Sequence, residues 1–309
     1  MSTIFITGAS SGMGRATAKL FAAKGWQVIA ASRSIRDDTD LAAAENIETV
    51  TLDVTDPQQI RSVVADVLSR RDVDVLFNNA GAVLFGPAEE YTDEQLDNQL
   101  ATNLLGPIRV SQAFLPHFRA RRGGTIINTT SLTAMLPAPF MSVYSAAKAG
   151  LERWSFGVNL ELNEFDIRVK TIVPGIVDTN LMVAGTVVES DAYATHLGKV
   201  FAAFGDPATA ELFSTAEGTA AVVFGAATDG TTRVRYLTDA TAKEYVAMMV
   251  GFGEETTQAL ASTVMFGRPC PSFTAISKWA DSFPPSTSDP AWHDSRIGCR
   301  SADLRRPTT

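Results

Sequence analysis

A chain of 309 residues, 45% of them hydrophobic, can bury one large core, and a single α/β domain of ~250 residues is ordinary at this length. Its formal net charge of −8 disfavours nucleic acid or an anionic membrane as the main partner, since both demand a basic face. Two cysteines, Cys270 and Cys299, make no disulfide framework, and the scattered His117, His196 and His293 give a metal site little support.

Met1-Ser2-Thr3 leads straight into an apolar strand pattern, without the basic and apolar regions of a secretory leader. No apolar run approaches the ~20 residues of a spanning helix, so the expectation is a cytoplasmic protein with no membrane partner. Strand-like runs then recur at Thr3–Thr7, Gln27–Ala31, Glu48–Leu52, Val73–Asn78, Gly124–Thr129 and Arg168–Val173. Between them lie helical patterns at Met13–Lys24, Pro57–Arg70, Thr92–Arg121 and Ser142–Asn163. Strand and helix alternating at this spacing predict βαβ units and a doubly wound parallel sheet of Rossmann type in one domain, residues 1–265. Beyond Pro174-Gly175 the pattern loosens, and residues 176–205 read as a substrate-side lid or as an ordinary loop with short helices. A helix over Ala216–Ala227, a strand over Val234–Thr238 and a helix over Ala240–Val250 follow. Residues 266–309, with Pro-Cys-Pro and Phe-Pro-Pro, carry no apolar period and read as an irregular tail.

The first strand runs into Gly8-Ala9-Ser10-Ser11-Gly12-Met13-Gly14 and then a helix. Glycines there permit a tight turn, and the helix start offers free N–H donors and partial positive charge to a pyrophosphate. A lone glycine trio is weak, but its place between first strand and first helix points to a dinucleotide. The second strand ends in Ser32-Arg33-Ser34, with no carboxylate before Asp37. An acidic residue there would accept from a ribose 2′-hydroxyl, whereas Arg33 suits a 2′-phosphate, so NADP(H) is expected ahead of NAD(H). Arg15, at the start of the first helix, is a second cation that could reach that phosphate.

Tyr144 and Lys148 stand four apart on a helical pattern and share a face. A free tyrosine with a pKa near ~10 is a poor acid at neutral pH. An ammonium at about 4 Å favours the phenolate by up to ~3 pKa units before other effects oppose it. Alone, such a pair is usually a surface pair. Here Ser131 follows the strand Gly124–Thr129 at the carboxyl end, where doubly wound sheets bind ligands. Asn78-Asn79-Ala80-Gly81 closes another strand in the same way.

In these motifs, over roughly residues 3–250, the chain resembles the short-chain dehydrogenases/reductases of the ~250-residue type. The resemblance implies that Tyr144 is the acid/base, that Ser131 polarises the substrate carbonyl, and that Lys148 holds the nicotinamide ribose and lowers the tyrosine pKa. It implies that Asn103 stabilises a bound water in the proton relay. Cofactor contacts are implied for Gly8, Ser10, Ser11, Gly12, Met13, Gly14, Arg33, Asp53, Val54, Asn79, Ala80, Gly81, Tyr144, Lys148, Pro174, Gly175, Val177 and Thr179, with substrate on Ser131 and Tyr144. Thr129-Thr130-Ser131 departs mildly from the family's serine pair, and nothing in the family accounts for the tail. Helices Thr92–Arg121 and Ser142–Asn163 carry apolar residues on more than one face, including Leu96, Leu100, Trp154, Phe156 and Leu160, and the resemblance implies that they pair across a two-fold axis in a homodimer or homotetramer.

Leu132, Met135, Leu136, Pro137 and Phe140, with Val83, Leu84, Phe85, Leu181 and Met182, suggest an apolar pocket for a lipophilic ketone, aldehyde or alcohol. The same residues would serve equally as core. The alternative reading is a dinucleotide-sensing regulator without useful turnover. The intact Ser131, Tyr144 and Lys148 weigh against it, and a dehalogenase variant would carry Arg in place of Lys148.

Overall fold

The structure, a computed structural model, describes residues 1–35, 39–136, 138–179, 181, 185–204 and 213–253. All of these fall within one unit, Met1–Pro269. The predicted tail, 266–309, lies outside the described residues, as do Pro137, Met182 and part of the predicted lid.

Seven strands build the main sheet: β1 (Thr3–Thr7), β2 (Gln27–Ser32), β3 (Ile47–Thr51), β4 (Val75–Asn78), β6 (Gly124–Thr129), β7 (Ile167–Val173) and β9 (Arg235–Leu237). Their order is β3-β2-β1-β4-β6-β7-β9, and every neighbouring pair is parallel. Strands covered on both faces need apolar side chains in continuous runs, and β1 is buried at all five residues. Successive side chains leave on opposite faces. Phe5, Ile29, Leu76 and Ile126 therefore meet α3 (Pro57–Arg70), α5 (Gly106–Arg121) and α6 (Ser142–Leu162) in one core cluster. Ile4, Ile6, Val28 and Phe77 meet α1 (Gly12–Ala23) and α8 (Ala216–Thr228) in the other. The short α2 (Thr39–Ala42) precedes β3, and α9 (Ala240–Phe252) follows β9.

The chain winds outward from β1 to β3 and then returns to β4, so the winding direction reverses between β1 and β4. At such a switch point the loops at the carboxyl ends diverge and leave a crevice.

One predicted helix differs, and residues 176–205 add a short strand to the short helix that the loop reading allowed. The single helix expected over Thr92–Arg121 starts with a capping box between Thr92 and Gln95 and runs as α4 (Asp93–Leu100). A π-helical turn, Ala101–Leu105, then widens it before α5 begins. Pro107, in the first turn of α5, has no N–H to give a preceding carbonyl, so regular bonding is interrupted there. The lid region also carries structure. Thr186–Val187 (β8) pairs in parallel with Leu84–Phe85 (β5), and α7 (Ala194–Phe204) follows. Two-residue strands are too short to show a period in sequence. Phe201 and Phe204 of α7 reach Phe85 with ring centroids 5.7 and 6.5 Å away.

Candidate active site

The switch-point crevice is a cleft of about 500 Å³. Of the residues predicted for cofactor or catalysis, all but Gly14 line it.

Its floor is the turn after β1. Gly8 and Gly12 hold φ of +67° and +50°, a region that favours glycine. A Cβ on Gly8 would sit 2.7 Å from the Ala80 Cα, and one on Gly14 would sit 2.2 Å from the Gly8 carbonyl oxygen. Gly8 and Gly14 are thus demanded by protein approaching protein as well as by any ligand. Asn79 completes the join. Its Nδ2 donates to the carbonyls of Thr7 and Gly8 at 3.3 and 3.2 Å, and its N–H donates to Thr7 Oγ1 at 3.0 Å.

These residues fit a dinucleotide. Ser11 caps α1 without spending its hydroxyl on the helix N–H groups, and no acidic side chain stands in the first turn. An anion beside Ser10–Met13 would therefore meet unpaired donors and the positive end of the helix dipole. Asn79 Oδ1 and Ser32 Oγ are buried without a hydrogen-bond partner among the described residues. Asp53 lines the cleft, with Oδ1 accepting from the Thr55 N–H at 2.8 Å and the Thr55 hydroxyl at 2.7 Å. Arg33 stands exposed at the end of β2, beside Ser32 and Ser34 on the cleft wall. Arg15 does not join it. Its guanidinium is paired with Asp40 at 2.6 Å, a carboxylate that Lys19 also holds at 2.7 Å.

At the other end α6 brings Tyr144 and Lys148, both buried, under Ser131 at the end of β6. Ser131 Oγ accepts from the Thr133 N–H at 3.1 Å and the Thr133 hydroxyl at 3.0 Å. Lys148 Nζ donates to the Thr129 carbonyl at 2.9 Å and lies 5.8 Å from the Tyr144 ring centroid. Burial pushes Tyr144 up to about 12, opposed by its hydrogen bond with Ser131. Burial also pushes Lys148 down to about 8. The expected lowering of the Tyr144 pKa by Lys148 is therefore reversed. The ammonium spends its bond on a backbone carbonyl, and both groups lose water that would stabilise their charged forms.

Asn103 lies in the π turn, fully buried. Its Nδ2 donates to the carbonyls of Ala82 and Gln99 at 2.8 and 3.2 Å, and its Oδ1 accepts from the Ala82 N–H at 3.3 Å. The side chain is thus committed to holding the loop after β4. A Cβ on Gly81 would sit 3.0 Å from Asn103 Oδ1 and 3.7 Å from Lys148 Nζ, so glycine keeps the space between them open.

Three residues that the sequence reading passed over matter here. Gln99 adds a second amide to the Ala82 carbonyl at 3.0 Å. Asp239 accepts from the Gly175 N–H at 3.0 Å while its other oxygen caps α9 at the Ala242 N–H, which fixes the turn below Val177 and Thr179. Thr133 holds Ser131. The only sequence signal was a hydroxyl two residues past Ser131; Gln99 and Asp239 act on partners that only folding brings near. Of the predicted apolar pocket, Val83 and Leu181 line the cleft, joined by Met141, Ile176 and Phe204. Phe85 is core beneath them, and Leu84, Leu132, Met135, Leu136 and Phe140 lie off the cleft.

The family model described as short chain dehydrogenase matches residues 2–186, more than half of the chain. This chain is a short-chain dehydrogenase family member. Among the relatives of this family member, a 3-ketodihydrosphingosine reductase of Bacteroides thetaiotaomicron is 34% identical over 57% of the chain and 64% of its own length. An NADPH-dependent 1-acyldihydroxyacetone phosphate reductase of Schizosaccharomyces pombe is 35% identical over 58% of the chain and 60% of its own. The chain thus spans less than two thirds of either relative. A short-chain dehydrogenase from Streptomyces avermitilis superposes with a TM-score of 0.74 at 32% identity, over 91% of this chain and 98% of that one. The family carries oxidoreductases acting on CH–OH groups, and the fold is theirs. Among the described residues no helix is long and apolar enough to cross a membrane, and no cluster of potential metal ligands occurs.

Proposed function

We propose that this short-chain dehydrogenase is an NADP(H)-dependent oxidoreductase interconverting a lipophilic ketone or aldehyde and its alcohol. The observation that carries the reading is the convergence of Ser131, Tyr144, Lys148 and Asn103 on the cleft whose other end is the glycine turn. When bound, the nicotinamide supplies or accepts the hydride at the carbon of the reacting C–O group. The chain's residues do the rest. Ser131 and Tyr144 hold the substrate oxygen, and the Tyr144 hydroxyl gives its proton to that oxygen in reduction or takes it back in oxidation. With a pKa of about 12 the tyrosine keeps its proton at neutral pH, so the proton is present for reduction but needs a neighbouring charge to ease its departure. Lys148, positively charged below about pH 8, favours the phenolate left behind and offers donors to a ribose. Asn103 and Gln99 hold the Ala82 backbone, and Asp239 holds Gly175.

Arg33 between two serines supports a 2′-phosphate, and one relative is itself named NADPH-dependent. Val83, Met141, Leu181 and Phe204 support an apolar substrate, as do relatives named for ketodihydrosphingosine and acyl substrates. A cytoplasmic setting goes with this reading, since two cysteines imply no disulfide framework. So does a homodimer or homotetramer, for Leu160 of α6 is 77% exposed, with Trp154 and Phe156 half-buried on the same helix.

The deciding experiment follows the nicotinamide absorbance with NADPH or NADH over a panel of ketones, aldehydes and alcohols. Turnover of apolar carbonyls with NADPH preferred is expected. Tight NADPH binding with no turnover on any of them would instead make the protein a dinucleotide sensor.

A further inference from the structure

Ser131 has one hydroxyl proton and two oxygen lone pairs. The Thr133 backbone N–H and hydroxyl, at 3.1 and 3.0 Å, fill both lone pairs. The proton is then the only bonding capacity Ser131 has left. Ser131 and Tyr144 line the same cleft, so the remaining proton is free to meet an oxygen that lies between them. Thr133 itself lines the cleft, so its hydroxyl is reached without crossing core.

We infer that Thr133 is a positioning residue for the reaction, aiming the Ser131 proton at the oxygen that Tyr144 serves. The inference rests on the oxidoreductase reading above. Thr133 donates to Ser131, and on this inference Ser131 in turn donates towards the oxygen at Tyr144, each donor polarising the next. A serine with an empty lone pair could turn its proton elsewhere and receive a donor in its place. With Thr133 present it meets the substrate oxygen as a donor only, the polarity needed when negative charge builds on that oxygen during reduction. The short 3-10 turn Leu132–Ala134, which Ser131 caps, holds Thr133 in place for this.

The test compares Thr133→Val, which keeps the shape and the N–H but removes the hydroxyl, with Thr133→Ser, which restores it. Carbonyl reduction by the valine variant should fall about 2- to 12-fold in kcat, the loss of one neutral hydrogen bond, with the NADPH dissociation constant unchanged. The serine variant should recover most of it. In a Ser131→Ala background the valine substitution should cost nothing more, because Thr133 acts through Ser131. An equal loss in that background, or no loss in the wild type, would overturn the inference.

A second readout needs no turnover. In protein labelled with 13C at the tyrosine ζ carbon, the Tyr144 resonance, identified by its absence in Tyr144→Phe, should move in Thr133→Val and return in Thr133→Ser. An unmoved resonance refutes the hydroxyl chain even if no substrate is found. A moved resonance in a protein that turns over nothing would leave the chain standing and sink the oxidoreductase reading.

Discussion

On the proposed oxidoreductase reading, the low pKa of Lys148 is expected to set the alkaline limit of carbonyl reduction. Burial carries this amine from 10.5 to about 8, while Tyr144 is carried up to about 12. Reduction needs Tyr144 protonated, and that condition lasts until about pH 12. It also needs Lys148 charged, and that condition fails first. For a group with its midpoint near 8, the charged fraction falls from about 0.9 at pH 7 to about 0.1 at pH 9, roughly tenfold. The pH profile of kcat/KM for NADPH, which reports the free enzyme, should therefore break downward near pH 8 and lose about tenfold by pH 9. Lys148→Met should be slow at all pH values and lack the break. Alcohol oxidation, which needs the phenolate, should climb with pH wherever Lys148 is still charged. A reduction profile flat from pH 7 to 10, or a break near 8 that survives in Lys148→Met, would refute the assignment and show that the buried ammonium is not what the reaction senses.

Other substitutions probe the remaining parts. Tyr144→Phe should leave the NADPH dissociation constant nearly unchanged and cut turnover by about 10²–10⁴-fold, as expected for a positioned acid; wild-type turnover would remove Tyr144 from the mechanism. Arg33→Asp should remove a charge-assisted contact worth roughly 10- to 150-fold in favour of NADPH and set a carboxylate against the 2′-phosphate. The ratio of kcat/KM for NADPH over NADH should collapse or invert, blunted only as far as Arg15 gives up its exposed pair with Asp40; an unchanged ratio would mean that Arg33 points elsewhere. Gly14→Ala drives a Cβ to 2.2 Å from the Gly8 carbonyl oxygen and should cost about 1–3 kcal/mol, read as a lowered thermal transition. An unaltered transition would show that the turn relaxes freely.

The parallel sheet, the glycine turn and the Tyr144–Lys148 face were legible because each is written in local periodicity. Apolar runs such as Thr3–Thr7 repeat between helical patterns, and a four-residue spacing shares a helix face whatever the rest of the chain does. The order of the strands and the switch point depend on which runs pair across long separations, yet the family motifs are tied so closely to them that Gly8, Asn79 and Ser131 were anticipated in one crevice. What the sequence could not carry was environment. The sign of the Tyr144 shift turned on whether burial or the neighbouring ammonium prevails, and the burial of the phenol in the folded cleft decided it. Gly14 looked like a residue for a phosphate, and the packed structure adds that the Gly8 carbonyl leaves no room for a side chain. Asp239 reaches Gly175 from 64 residues away, and the π turn that seats Asn103 interrupts a pattern that reads as one helix. Local pattern specifies elements through near-neighbour sterics and hydrophobicity, whereas desolvation, steric exclusion and long-range hydrogen bonds exist only once distant segments share a volume.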